Sequence, residues 1–139
     1  MKLRNHFTSS LLLLAAAAAC QGADYQIVAS KDVAVDEIAM DDLKKIFLLE
    51  KSSAGSKHVV PVVQQGGAAH TAFLKDCLGE SDQELKNTYK DAAFTGKAVA
   101  PKAVNSDAAM ISFISMSKGA IGYVSAGAIP IGVKKITVK

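Results

Sequence analysis

Beyond position 23, the residues that could do chemistry are two histidines, one cysteine, two carboxylate pairs and one glycine-bearing turn. His58 and His70 have no cysteine or further histidine at ligand spacing, so no metal site is expected and both read as surface or loop residues. Cys77 would need a histidine and an acid beside it to act as a nucleophile; as a lone thiol among apolar residues it reads as buried and inert. Asp41/Asp42 and Glu80/Asp82 sit where helices are expected to begin, and acids there suit the helix dipole. There is no Gly-x-Ser-x-Gly elbow, Walker loop or dinucleotide fingerprint, so neither an enzyme nor a cofactor is expected.

The glycine turn differs from these. Gly66, Gly67, Ala68 and Ala69 follow an apolar run and open a helical one. Glycines at such a place let backbone N–H groups approach an anion closely, although an ordinary tight turn has the same composition. Thr71 lies just beyond it. Thr95, Lys97 and Lys102 lie on a stretch before a second helix start at Ser106 and could add hydroxyl and ammonium donors.

The elements that must carry these residues follow from pattern. Residues 25–29 (YQIVA) predict a strand, with Ser30 and Asp32 turning the chain. Leu43, Ile46 and Phe47 lie at helical spacing, with Lys44 and Lys45 toward solvent. Residues 52–56 read as a loop and 59–63 (VVPVV) as a strand whose proline implies an edge or a strand end. A helix carrying Phe73, Leu74, Cys77 and Leu78 should end at Gly79. Ser81 with Glu84 makes a capping box for a helix carrying Leu85, Thr88, Tyr89, Ala92 and Ala93, stopped at Phe94-Thr95-Gly96. Residues 97–104 read as a loop, and Ser106 as the cap of a helix burying Met110, Ile111, Phe113 and Ile114. Strands at 121–124 and 133–138 close the chain. Strands alternate with helices and no linker divides them, so residues 24–139 are expected to form one α/β domain with a small mixed sheet.

Residues 1–23 have the three-part pattern of a secretory leader: Lys2 and Arg4, then the apolar block 11–19, then small residues around Cys20 and Gly22. Ala17-Ala18-Ala19-Cys20 resembles a bacterial lipobox, which would make Cys20 the lipidated first residue; cleavage around Gly22 would instead release a soluble protein. Either way a periplasmic location is expected, and Cys77 is a lone thiol unless Cys20 is kept and pairs with it. The 139 residues carry a net charge of +3, from 16 basic and 13 acidic side chains. Removing Lys2 and Arg4 leaves 14 against 13, about +1, and removes the only arginine. The basic balance therefore belongs to the leader, and nucleic acid is not an expected partner.

Residues 42–48 (DLKKIFL), 59–62 (VVPV), Phe73-Leu74, Leu78-Gly79, 83–89 (QELKNTY), 94–97 (FTGK), Pro101-Lys102 and 119–124 (GAIGYV) resemble, in order, the phosphate-type substrate-binding proteins of ABC transporters. The resemblance implies one lobe of a periplasmic-binding-protein-like fold, a site for phosphate or a related oxyanion at residues 66–69 with Thr71, Thr95 and Lys97, and no catalysis. It also implies an envelope or membrane protein partner, or a second copy of the chain supplying the missing lobe. The family carries an arginine and a Ser-Gly-Thr at the glycine turn; here residues 64–71 read QQGGAAHT, and Tyr89 stands at one expected tryptophan position. A charge-assisted bond is roughly twice as strong as a neutral one. Those departures weigh against tight phosphate binding and leave an alternative function, an envelope interaction or sensory module whose ligand site has decayed.

Overall fold

Residues 24–139 are described by the computed structural model; the leader pattern and Cys20 lie outside the described residues. In chain order the elements are β1 (Tyr25–Ala29), β2 (Glu37–Ile38), α1 (Met40–Phe47), β3 (Ser53–Ala54), β4 (Lys57–His58), β5 (Val60–Gln64) and α2 (Ala68–Phe73). The last runs on into one π-helical turn (Leu74–Leu78). Then follow α3 (Asp82–Phe94), β6 (Lys102–Val104), α4 (Asp107–Met116), β7 (Ala120–Ser125) and β8 (Lys134–Val138). The local signals act as expected. Ser81 Oγ accepts from Glu84 N–H and the Glu84 carboxylate accepts from Ser81 N–H, completing the capping box. Gly79, at φ 64°, stops the π turn in the left-handed conformation.

Six strands form a mixed sheet in the order β2-β8-β1-β7-β5-β6. β5 lies parallel to both β6 and β7, while β1 is antiparallel to both β7 and β8. Parallel neighbours need crossovers. α2 and α3 carry the chain from β5 to β6, and α4 carries it from β6 to β7. Those crossovers lie on opposite faces. Phe47, Phe73, Leu85, Tyr89 and Tyr123 pack together on one side, and Met110 and Ile114 of α4 pack with Val28, Val62 and Val124 on the other. On the second side α4 rides directly on β7, because a Cβ on Gly122 would come within 2.5 Å of Met110 Sδ.

Two expectations change. Residues 102–104 are a strand rather than loop, pairing Val62–Lys102, Val63–Ala103 and Gln64–Val104. Lys102 and Ala103 are exposed on this edge strand, so the stretch lacks the apolar run that betrays a strand. Residues 52–56 likewise contribute β3 to a two-stranded hairpin with β4. Pro61 lies within a strand paired on both sides, but only after Pro61 does the pairing with β6 begin. Val60 N–H donates to Gly119 O on the β7 side (2.8 Å), so the proline nitrogen faces the other edge before β6 starts. Strand end, not edge, is the right reading. In α4, Met110 and Ile114 are buried and Ile111 and Phe113 only half so.

Candidate functional site

The chain leaves β5 toward one face and β6 toward the other, so the carboxyl ends of these two parallel strands form a switch point, the place where open α/β sheets have their crevice. Gln65 N–H donates to Val104 O (2.8 Å), holding the strands together up to its lip. The turn 65–68 is exposed, and a Cβ on Gly66 or Gly67 would meet nothing within 4 Å. Gly67 has φ 96° and ψ 172°, a region kept almost wholly for glycine, so backbone conformation requires it rather than packing. No side chain caps α2, whose first-turn N–H groups belong to Ala68, Ala69 and His70. The other helix start at the crevice is capped: Ser106 Oγ accepts from Ala109 N–H (3.0 Å).

Beneath the turn runs a buried polar chain. Gln64 Nε2 donates to Asp107 Oδ1 (2.8 Å) and to Tyr123 O (3.0 Å), and Gln64 N–H donates to the Tyr123 hydroxyl (3.0 Å). The same hydroxyl meets His70 Nδ1 at 2.5 Å, and His70 Nε2 lies 2.8 Å from Asp82 Oδ1. The ionised Asp82 carboxylate can only accept, so His70 carries a proton on Nε2 and donates to it; in that neutral tautomer Nδ1 accepts from the Tyr123 hydroxyl, which itself accepts from Gln64 N–H. The residues on either side of the glycine turn are thus tied to one hydroxyl.

The carboxylates at the ends of this chain are held ionised. Burial works to raise Asp107, but hydrogen bonds from Ser125 and Gln64 outweigh it and hold the carboxyl below its ordinary value. Asp82 is lowered first by Lys86 (2.8 Å) and then by His70. For groups depressed in the folded chain, the stability contribution is complete above the unfolded value near about pH 4 and is lost as pH falls through the folded value. Asp107→Asn is therefore expected to flatten the acid limb of the stability curve below about pH 4. Urea midpoints measured against pH test this, and an unchanged limb would speak against it.

The turn 66–69 and Thr71 lie side by side, and Thr71 Oγ1 donates back to Gly67 O (3.1 Å). Thr71 and His70 also line a cavity of about 410 Å³ with Lys75, Glu80 and Asp82. Thr95 and Lys97 do not join them. Thr95 Oγ1 donates to Asp91 O (2.8 Å), and Lys97 lines a separate cavity of about 540 Å³ with Ile46, Val59, Val60 and Pro61, at the start of β5. A crossover helix must return the chain to the beginning of the next parallel strand, so the end of α3 lies away from the crevice.

His58 is exposed in β4, but His70 is 3 % exposed, which corrects the surface reading. Its signal was available: His70 stands three and four residues before the buried Phe73 and Leu74, on the packed face of the helix. Gln64 and Asp107, which sequence reasoning missed, gave less notice, since only the fold brings them together. Cys77 is buried and its thiol is pushed up to about 12 by that burial. Asp41 and Asp42 pair with Lys45 (2.9 Å) and Lys51 (3.1 Å). Among the described residues no three histidine, cysteine or acidic side chains are grouped to hold a metal ion, and no helix is long and apolar enough to cross a membrane.

No protein-family profile matches the chain, and no curated protein matches it. Solved structures do. A phosphate ABC transporter substrate-binding protein from Clostridium perfringens, with bound phosphate, superposes with TM-score 0.64 at 17% identity, over 83% of this chain and 44% of that one. An ABC-type phosphate transport receptor from Vibrio cholerae gives 0.61 at 16% over 83% and 46%, and PstS from Borrelia burgdorferi gives 0.61 at 16% over 84% and 47%. The chain spans less than half the length of these structures, and its fold is that of a single lobe of a periplasmic-binding-protein fold.

Proposed function

We propose that this chain is an exported, non-catalytic, one-lobe module that binds phosphate or a related small oxyanion at Gly66, Gly67, Ala68 and Ala69, with Thr71 beside them. The observation that carries the reading is the uncapped start of α2 at the strand-end crevice, in a lobe shaped like proteins whose names concern phosphate transport. Residues 24–139 contain no arginine, so the donors are backbone N–H groups without a guanidinium fork. Binding is accordingly weak and salt-sensitive, with Kd of roughly millimolar order. A second copy of the chain, or a transporter component of the envelope, closes the crevice from outside. Thr95 and Lys97 take no part in this site. Export rests on residues 1–23; in its anchored form Cys20 carries the lipid, and cleavage around Gly22 gives the released form.

The missing arginine and the ionised Asp107 near the crevice favour a second reading, an envelope interaction module with no ligand. Calorimetric titration of phosphate at low ionic strength separates the two. Saturable heat is expected from the unaltered protein. Gly67→Val should abolish it, because a side chain at that φ and ψ costs about 1–3 kcal/mol and moves the turn. Absence of both heat and thermal shift at millimolar phosphate leaves the interaction module, which a partner crosslinked in the envelope would support.

A further inference from the structure

Ile129, Ile131 and Met116 are exposed to 75, 76 and 79 %, and oxyanion binding makes no use of them. The loop 126–132 that carries the isoleucines joins β7 to β8, which run parallel on either side of β1, so it has to cross the face of the sheet that α4 covers. Its path is pinned. Gln26 Nε2 donates to Ser125 O (3.1 Å) and Ala128 O (2.8 Å), Ala128 N–H donates to Ser125 O (3.0 Å), and Val133 is buried with Met110 and Ile114. A Cβ on Gly132 would lie 3.7 Å from Ser115 Cβ, which brings the loop beside the end of α4 where Met116 stands. The isoleucines are therefore held outward by an ordered backbone.

The surroundings point to one occupant. Residues 126–132 (AGAIPIG) carry no charge. Lys118 follows α4, and Lys135 lies on the same side of the sheet, since its neighbour Ile136 packs into the opposite cluster. Neither lysine has an ion-pair partner among the described residues. Ala126 N–H donates to Asp24 O (3.3 Å), so the first described residue lies at the start of this same loop. Cys20 stands four residues before Asp24, a reach of about 14 Å when extended. A chain anchored there holds the membrane near the start of the loop, which then runs the length of β1 across this face to Gly132 beside the end of α4.

We propose that loop 126–132 and the end of α4 seat on a lipid bilayer, with Ile129, Ile131 and Met116 entering the interface and Lys118 and Lys135 meeting anionic headgroups. The inference rests on the anchored form of the export reading and is independent of oxyanion binding. Tryptophan is absent from the sequence, so Ile131→Trp, and Val99→Trp as a control at another exposed apolar position, each report from one place. Residues 20–139 are coupled through Cys20 to a maleimide lipid in phosphatidylethanolamine–phosphatidylglycerol vesicles. The buried Cys77, with its thiol pushed up to about 12, stays out of that reaction at neutral pH.

The expected result is a blue-shifted, quencher-protected indole in Ile131→Trp and no change in Val99→Trp. Without the tether, Ile129→Ser should lower vesicle binding of the Ile131→Trp protein by about tenfold. No shift in tethered Ile131→Trp, or an equal shift in Val99→Trp, overturns the proposal. So does a shift that needs no lipid and grows with protein concentration, which would make this face a contact between copies. Because the tether is made chemically, a negative result concerns this face and not export, and failure of export in cells would leave a positive vesicle result standing.

Discussion

Replacing Phe73 with alanine is expected to lower the unfolding free energy by about 3–5 kcal/mol, at the upper end of what one core truncation costs. Phe73 is fully buried. Its ring stacks on Tyr123 (centroids 4.1 Å, planes 16° apart) and meets Phe47 and Tyr25 edge-on at 4.8 and 5.6 Å. It therefore joins α2 to α1, β1 and β7 at one point, and no neighbour can close the void without leaving its own contacts. A domain of this size is stable by about 5–15 kcal/mol, so the variant loses a large part of the whole. Phe94→Ala is the matched control: that ring is 93 % exposed, and its removal should change stability by no more than about 0.5 kcal/mol. Urea denaturation of both variants tests the contrast. Equal midpoint shifts would mean that the aromatic cluster does not hold the lobe together.

Tyr123→Phe should cost about 2–4 kcal/mol although it removes a single oxygen. The ring and its stacking remain. What is lost is the acceptor for Gln64 N–H and the donor to His70 Nδ1, both in buried surroundings where water does not replace them. Since Gln64 and His70 bracket the glycine turn, the same variant should weaken phosphate binding without touching the turn itself. A double-mutant cycle with His70→Leu isolates the network from ordinary packing: coupling of about 1 kcal/mol or more is expected, and additive losses would show that the hydroxyl does not link the two residues.

Short-range features were legible from the residues alone. The capping box at Ser81 and Glu84, the stop at Gly79, the packed faces of α1 and α3 and the strand at β7 depend on residues within about one helical turn or on a short β-prone run. The order of motifs from residue 42 to 124 carried the resemblance to phosphate-type binding proteins, and the solved structures agree with it at the level of the fold. Even buried His70 announced itself by its register with Phe73 and Leu74, once that register is read for polar as well as apolar residues.

Pairing and direction were not legible. β6 is an exposed edge strand whose pairing with β5 leaves no apolar pattern behind. Lys97 looked like a neighbour of the glycine turn until the crossover through α3 set it at the start of β5. Gln64, Asp107 and Tyr123 lie far apart in sequence and meet only because β7 returns beside β5. The sequence by itself determined the helices and their caps, the alternation of strand and helix, and the absence of a guanidinium from residues 24–139, because those depend on local geometry and composition. Tertiary structure alone decided which donors share the crevice, which buried polar groups satisfy one another, and which apolar side chains are left facing outward. Strand order and crossover direction settle each of those through contacts between distant residues.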